Sequence, residues 1–321
     1  MPLEPLFCEF KPQIESCFSE AVADAKLSLV DIKLLISEEP YGRHTARAQF
    51  LVITSQKQVI CTWNGLASLW ALSQSISRLA KRVFEARRSG KDELQLDDDI
   101  ELETGLKGIE LARRFLDNDV PSEFASKAHW PAWAPPIISH PDPGTDDHTG
   151  VLLFVGALGW IFRHELAHIV LNHDERQKRF DIDTIGCERE SDKQAAIWLK
   201  RDLSADVDRE LGAKPSISDL ALDANALVTG VGLIWIALFD SEQTRGSADY
   251  PPVAERIEAC WNTFELSADS AASEIIADIV GCWLTPDKRF GPDRGFDTSA
   301  DAMYDALYRL NQHISSIQIH F

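Results

Sequence analysis

The chain has 321 residues, 45% of them hydrophobic and 26% charged, which is enough apolar material for one large domain or two modest ones. Its formal net charge of −19 argues against nucleic acid as a partner, because phosphates need a basic surface, and it would repel anionic membranes. Six cysteines without a Cys-x-x-Cys pair give no sign of a disulfide framework or of a second metal site.

The first residues, Met1-Pro2-Leu3-Glu4-Pro5, lack a basic segment followed by an apolar one. No secretory signal is expected from them, and the cytoplasm is the expected location. Residues 27–36, 46–54 and 58–63 have strand-like content with turn residues between them, which predicts a small sheet. An amphipathic helix is expected over 65–88, with Leu66, Leu69, Trp70, Leu72, Ile76, Leu79 and Val83 mostly on one side, broken by Ser89-Gly90-Lys91-Asp92. A shorter helix is expected over 106–116. Residues 119–147 carry Pro121, Pro131, Pro135, Pro136, Pro141 and Pro143 with Trp130 and Trp133, a composition that does not form a helix. This stretch forms either one wall or gate of a cleft, or a passive linker.

Apolar runs at 151–162 and 226–239 contain about 12–14 residues, short of the roughly 20 that span a bilayer, and read as core helices. Further helices are expected at 218–240, 252–265, 269–284 and 299–314, with a loop at 291–295. Acidic runs at 97–99 and 146–147 read as solvated loops. The expected fold is α+β and predominantly α-helical, with a small N-terminal sheet. It divides into an N-terminal region 1–118, a Pro-rich connection 119–147 and a helical region 148–321 packed with the first as one unit.

The run at 151–162 leads into His164-Glu165-Leu166-Ala167-His168. On a helix, residues four apart share a face with Cβ atoms about 5–6 Å apart, so both imidazoles can reach one ion. Glu165 beside them can take a proton from a water on that ion. Downstream, residues 187–199 read as a second helix with Glu188 and Asp192 one turn apart. Nineteen residues between His168 and Glu188 allow one helix to end and another to return facing it. Glu188 is then the expected third ligand, and Asp192 the acceptor for the free ring N–H of a ligand histidine. Three protein ligands leave a fourth position for water, as in catalytic zinc sites.

Asp174 and His173 are weaker candidates. A continuing helix would carry them about 240° and 140° round from His168. His173 is therefore expected to be structural or solvent-facing. Cys187, next to Glu188, reads as a small buried residue rather than a metal or redox contact.

The residues from Trp160 to His173, followed by Glu188-Arg189-Glu190-Ser191-Asp192, resemble the Lit-type phage-exclusion peptidases (peptidase U49), a bacterial group of zinc-dependent proteases. More distantly they resemble other zinc peptidases with a glutamate third ligand. The resemblance is strongest over about 150–200, with weaker echoes at 69–73 and 250–257. It implies a zincin-like metallopeptidase core, a Zn2+ cofactor and a cytoplasmic protease that stays quiet until a phage product appears. Such a protease then cleaves the translation factor EF-Tu. An activating phage peptide or protein would be a second partner.

Related zinc peptidases often carry His-Pro, four residues, then Arg-Ile at the third echo. This sequence has Tyr250 at the His position and keeps Pro251, Arg256 and Ile257. Tyr250 or Arg256 is a candidate donor to the oxyanion that forms at the peptide carbonyl, a contact worth on the order of 10²–10³ in rate. Alternatively, Pro251-Pro252 starts a helix and Arg256 pairs with Glu188 or Asp192.

A zinc endopeptidase of the phage-exclusion type is the leading reading. A zinc peptidase that cleaves a repressor or antitoxin is the second. The third is a non-enzymatic sensor or scaffold with a vestigial metal site, against which the complete set of His164, Glu165, His168, Glu188 and Asp192 speaks.

Overall fold

The computed structural model describes residues 3–39, 49–90, 100–117, 124, 127–201, 217–239, 250–284 and 295–317. Within these it is α+β and predominantly helical, with one three-stranded sheet. Internal contacts gather the chain into two units. One comprises Met1–Leu79 with Ile100–Ile182, the other Ala80–Asp99 with Asp183–Phe321.

The first unit begins with α1 (Glu4–Phe7) and α2 (Lys11–Asp24). Strands β1 (Lys33–Ser37), β2 (Phe50–Ile53) and β3 (Gln58–Thr62) follow, in the order β1-β3-β2. β1 runs parallel to β3 and pairs Leu35 with Ile60, while β2 runs antiparallel and pairs Val52 with Val59. The first strand starts later than the expected residue 27 because the chain spends that segment ending α2. Lys26 is left-handed at φ 55°, Leu27 N–H bonds back to Val22 O at 3.0 Å, and Ile32 N–H bonds to Ser28 O at 3.1 Å. Residues 46–48 of the second expected strand, and the acidic run 97–99, lie outside the described residues.

Helix α3 (Trp63–Arg88) starts directly after β3, and α4 (Ile100–Asp117) is longer than its expected 106–116 core. The Thr62 hydroxyl accepts from Gly65 N–H at 3.1 Å and from Gln49 N–H at 2.9 Å, so one oxygen caps the helix and ties it to the sheet. α3 and α4 come close because Gly108 lacks a side chain: a Cβ there would lie 2.2 Å from the Ser75 hydroxyl oxygen. Polar groups buried at this contact are used in pairs, with Asn64 donating to Phe115 O and Ser68 to Ala112 O, each at 2.9 Å.

Where described, the Pro-rich stretch holds one short 3₁₀ turn, Lys127–His129, and no α-helix before Asp146, yet it is stitched into the first unit. Trp130 donates to Pro135 O at 2.7 Å and meets Trp70 edge-on and Phe124 at a tilt, and Gln13 donates to Ser139 O at 3.2 Å. It ends in α5 (Asp146–Val170), capped by Thr145, whose hydroxyl accepts His148 N–H at 3.2 Å. Asp146 and Asp147, expected in a loop, form the acidic first turn of this helix, where the unpaired N–H groups favour negative charge. Gln74, Ser77 and Arg78 of α3 bind this same turn.

Apolar on most sides, α5 packs along α2, with edge-on pairs Phe10–Phe154 and Phe18–Phe162 at 5.5 and 5.4 Å. α6 (His173–Lys178) closes the unit. Two helical segments, Asp146–Val170 and Asp219–Leu238, are long and apolar enough to cross a membrane by length and composition. The expected runs of 12–14 residues were shorter because the helices also include polar turns. In the first segment 78% of the apolar window is buried inside the protein, as in a core helix, and in the second 50%.

The second unit takes the last turns of α3 and adds α7 (Thr184–Arg201), α8 (Ile217–Phe239), α9 (Val253–Phe264), α10 (Ala271–Leu284) and α11 (Ser299–Ile317). These match the expected helices to within three residues at each end; of the expected loop, 291–294 lie outside the described residues. α9 packs on α7, α8 and α11, and α10 packs on α8 and α11. Gly230 permits the α8–α10 crossing, since a Cβ there would meet Ile276 at 2.5 Å.

Candidate metal centre

Arg163 sets the position of the histidine turn. Its Nε donates to Asp24 of α2 at 2.8 Å, its Nη2 pairs with the same carboxylate, and its Nη1 donates to Gly159 O at 3.0 Å. The next residue, His164, is buried, and its ring lies 5.6 Å from that of Trp160 one turn earlier. His168, one turn later, is half-buried, and the two Nε2 atoms stand 3.3 Å apart. Glu165 is half-buried beside His164.

Just beyond this pair the helix ends. Leu171 N–H still bonds to Ala167 O at 2.9 Å, but Asn172 adopts a left-handed conformation, φ 54° and ψ 42°. Asparagine tolerates that conformation better than most side-chain-bearing residues. The turn redirects His173, which is 1% exposed with its Nδ1 3.0 Å from Nδ1 of His168. The expected 140° separation assumed a continuing helix, and the break removes it. His173 is structural rather than solvent-facing, and its contact is with the histidine pair itself.

In the second unit, Glu188 and Asp192 are both buried, one turn apart on α7. Arg256 of α9 is 3% exposed and meets Asp192 with both faces of its fork, Nε to Oδ2 at 2.7 Å and Nη2 to Oδ1 at 2.8 Å. Its Nη2 also lies 3.4 Å from Glu188. Burial works against charge on Arg256, but the Asp192 carboxylate, its hydrogen bonds and Glu188 together hold the guanidinium pKa above its ordinary value. Of the two roles expected for Arg256, this geometry serves the carboxylate pairing. Tyr250 is exposed, in the segment just before α9.

His164 and His168 of the first unit offer two imidazole nitrogens on one helix face, and Glu188 of the second unit offers a buried carboxylate, the residue types of a metal donor set. The donor set fits zinc. Two Zn–N bonds of about 2.0–2.1 Å at a tetrahedral angle place their nitrogens about 3.3–3.4 Å apart, and the Nε2 atoms are separated by 3.3 Å. His173 does not belong to the same donor set, because it addresses the opposite nitrogen of the His168 ring.

Three buried cysteines keep their protons and offer no competing thiolate. Burial pushes Cys17 up to about 12, and it raises Cys61 and Cys260 as well. Cys187 is buried. Residue spacing alone does not reveal the contact between His173 and His168. The signal that could have revealed it is Asn172, a residue suited to a left-handed helix end, directly after the apolar run.

Residues 59–276 match the Peptidase U49 family. A cell death peptidase of Escherichia coli (strain K12) is 22% identical over 180 residues, covering 56% of this chain. The chain spans 58% of the length of that curated relative. No solved structure matches it. The family match includes the histidine turn of α5, the carboxylates of α7 and Arg256 of α9. Extending over more than half of the 321 residues, it shows that the chain belongs to the Peptidase U49 family.

Proposed function

We propose that this chain is a zinc-dependent endopeptidase of the Lit type, in which His164, His168 and Glu188 hold Zn2+ and Glu165 is the general base. The observation that carries the reading is the 3.3 Å separation of two imidazole nitrogens on one helix face, the spacing of two ligands on a tetrahedral ion. A zinc ion bound by these residues would supply Lewis acidity for activating water. Glu165 would take a proton from the attacking water and deliver it to the leaving amine of the cleaved peptide bond. Asp192 and Arg256 fix the α7 side of the donor set through their two-pronged pair. Tyr250 takes the role of oxyanion donor in this scheme. Its hydroxyl can donate, it stands where related zinc peptidases often carry a histidine, and Arg256 is engaged with Asp192.

The substrate we propose is EF-Tu, with a phage-derived peptide or protein as activator and the cytoplasm as the place of action. Membership of the Peptidase U49 family and the Lit-type resemblance support this choice. The test is to incubate the purified zinc-loaded protein with host lysate, with and without phage proteins, and to map new termini by mass spectrometry. A specific cut in EF-Tu that depends on the phage proteins, and that is lost in Glu165→Gln, is the expected result. Cuts confined to a repressor or antitoxin transfer the same chemistry to that substrate. No cleavage under any condition by a protein with full zinc content overturns the enzymatic reading in favour of a sensor or scaffold.

A further inference from the structure

We propose that His173 is a positioning residue for the metal ligand His168, receiving the His168 Nδ1–H on its own Nδ1 and so fixing both the tautomer and the ring plane of the ligand. This rests on the zinc reading above. The two ring nitrogens of His168 face different neighbours, Nε2 toward Nε2 of His164 at 3.3 Å and Nδ1 toward Nδ1 of His173 at 3.0 Å. A neutral imidazole carries one N–H and one lone pair, so assigning one nitrogen assigns the other. If Nε2 of His168 is the donor to zinc, its proton sits on Nδ1 and points at His173. Nδ1 of His173 is then the acceptor, and the proton of that ring sits on its Nε2.

The geometry supports a built contact. The two rings meet nearly at right angles, 82° with centroids 4.9 Å apart, which aims the N–H of one ring edge at the lone pair of the other. His173 is 1% exposed, so water does not compete freely for that bond. The left-handed turn at Asn172, φ 54°, is the local device that brings a residue five positions on back to His168. Metal-bound histidines usually give their second N–H to a carboxylate, a backbone carbonyl or water. A neutral imidazole acceptor orients the ring without adding negative charge. His168 therefore remains a less basic donor than it would be beside a carboxylate.

The test has two arms. In the first, the histidine side chains of the unaltered protein are read by long-range nitrogen-proton NMR, both metal-free and loaded with zinc. His168 is expected to carry its proton on Nδ1 and His173 on Nε2 in the zinc form. A His168 protonated on Nε2 in both forms overturns the proposal. In the second arm, zinc affinity is measured by chelator competition for His173→Leu and His173→Asn, alongside chemical unfolding of both metal-free variants. His173→Leu, which fills the space without an acceptor, should bind zinc 10- to 100-fold more weakly. His173→Asn, whose amide oxygen can accept, should recover most of that loss. Equal zinc affinity in His173→Leu and the parent overturns the proposal, as does equal weakening in both variants with equal loss of stability. If the parent protein binds no zinc, the metal reading fails separately, and the proton positions in the metal-free NMR spectra still decide whether His168 donates to His173.

Discussion

The histidines of α5 and the carboxylates of α7 are held by opposite kinds of support. His164 and His168 are imidazoles whose neighbours are an indole, another imidazole and the packed body of α5. Glu188 and Asp192 are buried anions, and their support is a buried cation, Arg256, with two hydrogen bonds to Asp192 at 2.7 and 2.8 Å. The difference follows from desolvation. A neutral ring can be buried by packing alone, provided its N–H finds an acceptor, whereas a carboxylate removed from water needs a charge of opposite sign close by. Damage to the α7 side should therefore appear first as loss of folding, and damage to the α5 side as loss of chemistry or metal.

The sharpest way to break this contrast is Arg256→Ala. It leaves buried carboxylates uncompensated and should cost about 3–5 kcal/mol in urea unfolding. The double change Arg256→Met with Asp192→Leu should recover much of that loss, because it removes both charges together. A double variant no more stable than Arg256→Ala would place the stabilisation elsewhere.

Glu165→Gln probes the other side. Turnover should fall by on the order of 10²–10⁴, while zinc content and unfolding midpoint stay near those of the parent. Near-native turnover in this variant removes Glu165 from the chemistry.

A smaller effect is expected at Gly150, where a Cβ would lie 2.5 Å from the Gln74 amide that already binds Arg78. Gly150→Ala should destabilise by about 1–2 kcal/mol, the overpacking outweighing the gain in helix propensity. If it instead stabilises, the Gln74 contact at the start of α5 is loose.

The smallest effect sharpens the comparison most directly. Arg189 and Glu255 link the same two helices, α7 and α9, as Asp192 and Arg256 do, at 2.8 Å, but on the exposed side. Arg189→Ala should cost less than about 1 kcal/mol because solvent screens the pair. Similar losses for the inner and outer pairs would mean that burial is not what sets their worth.

Periodicity and turn chemistry made much of the fold legible. The helices of the second unit, the core of α3 and the long apolar helix carrying the histidines all follow from apolar spacing. Boundaries shifted where a local hydrogen bond overrode pattern. The left-handed Lys26 delayed β1, and the Thr145 cap drew Asp146 and Asp147 into α5. Contacts between segments distant in sequence, such as α2 with α5, were not legible, because apolar spacing describes each segment by itself.

The sequence by itself determined the chemical types at the candidate centre. Two imidazoles four residues apart, with a carboxylate between them, share a face in any helix, because the helical repeat alone puts them there. Tertiary structure decided what supports each of them. Whether Arg256 faces a substrate or Asp192 depends on the α7–α9 contact, and whether His173 points to solvent or to His168 depends on where α5 stops. The first is a contact between residues 64 positions apart. The second turns on one left-handed residue, Asn172, whose conformation the spacing of the neighbouring apolar residues does not reveal.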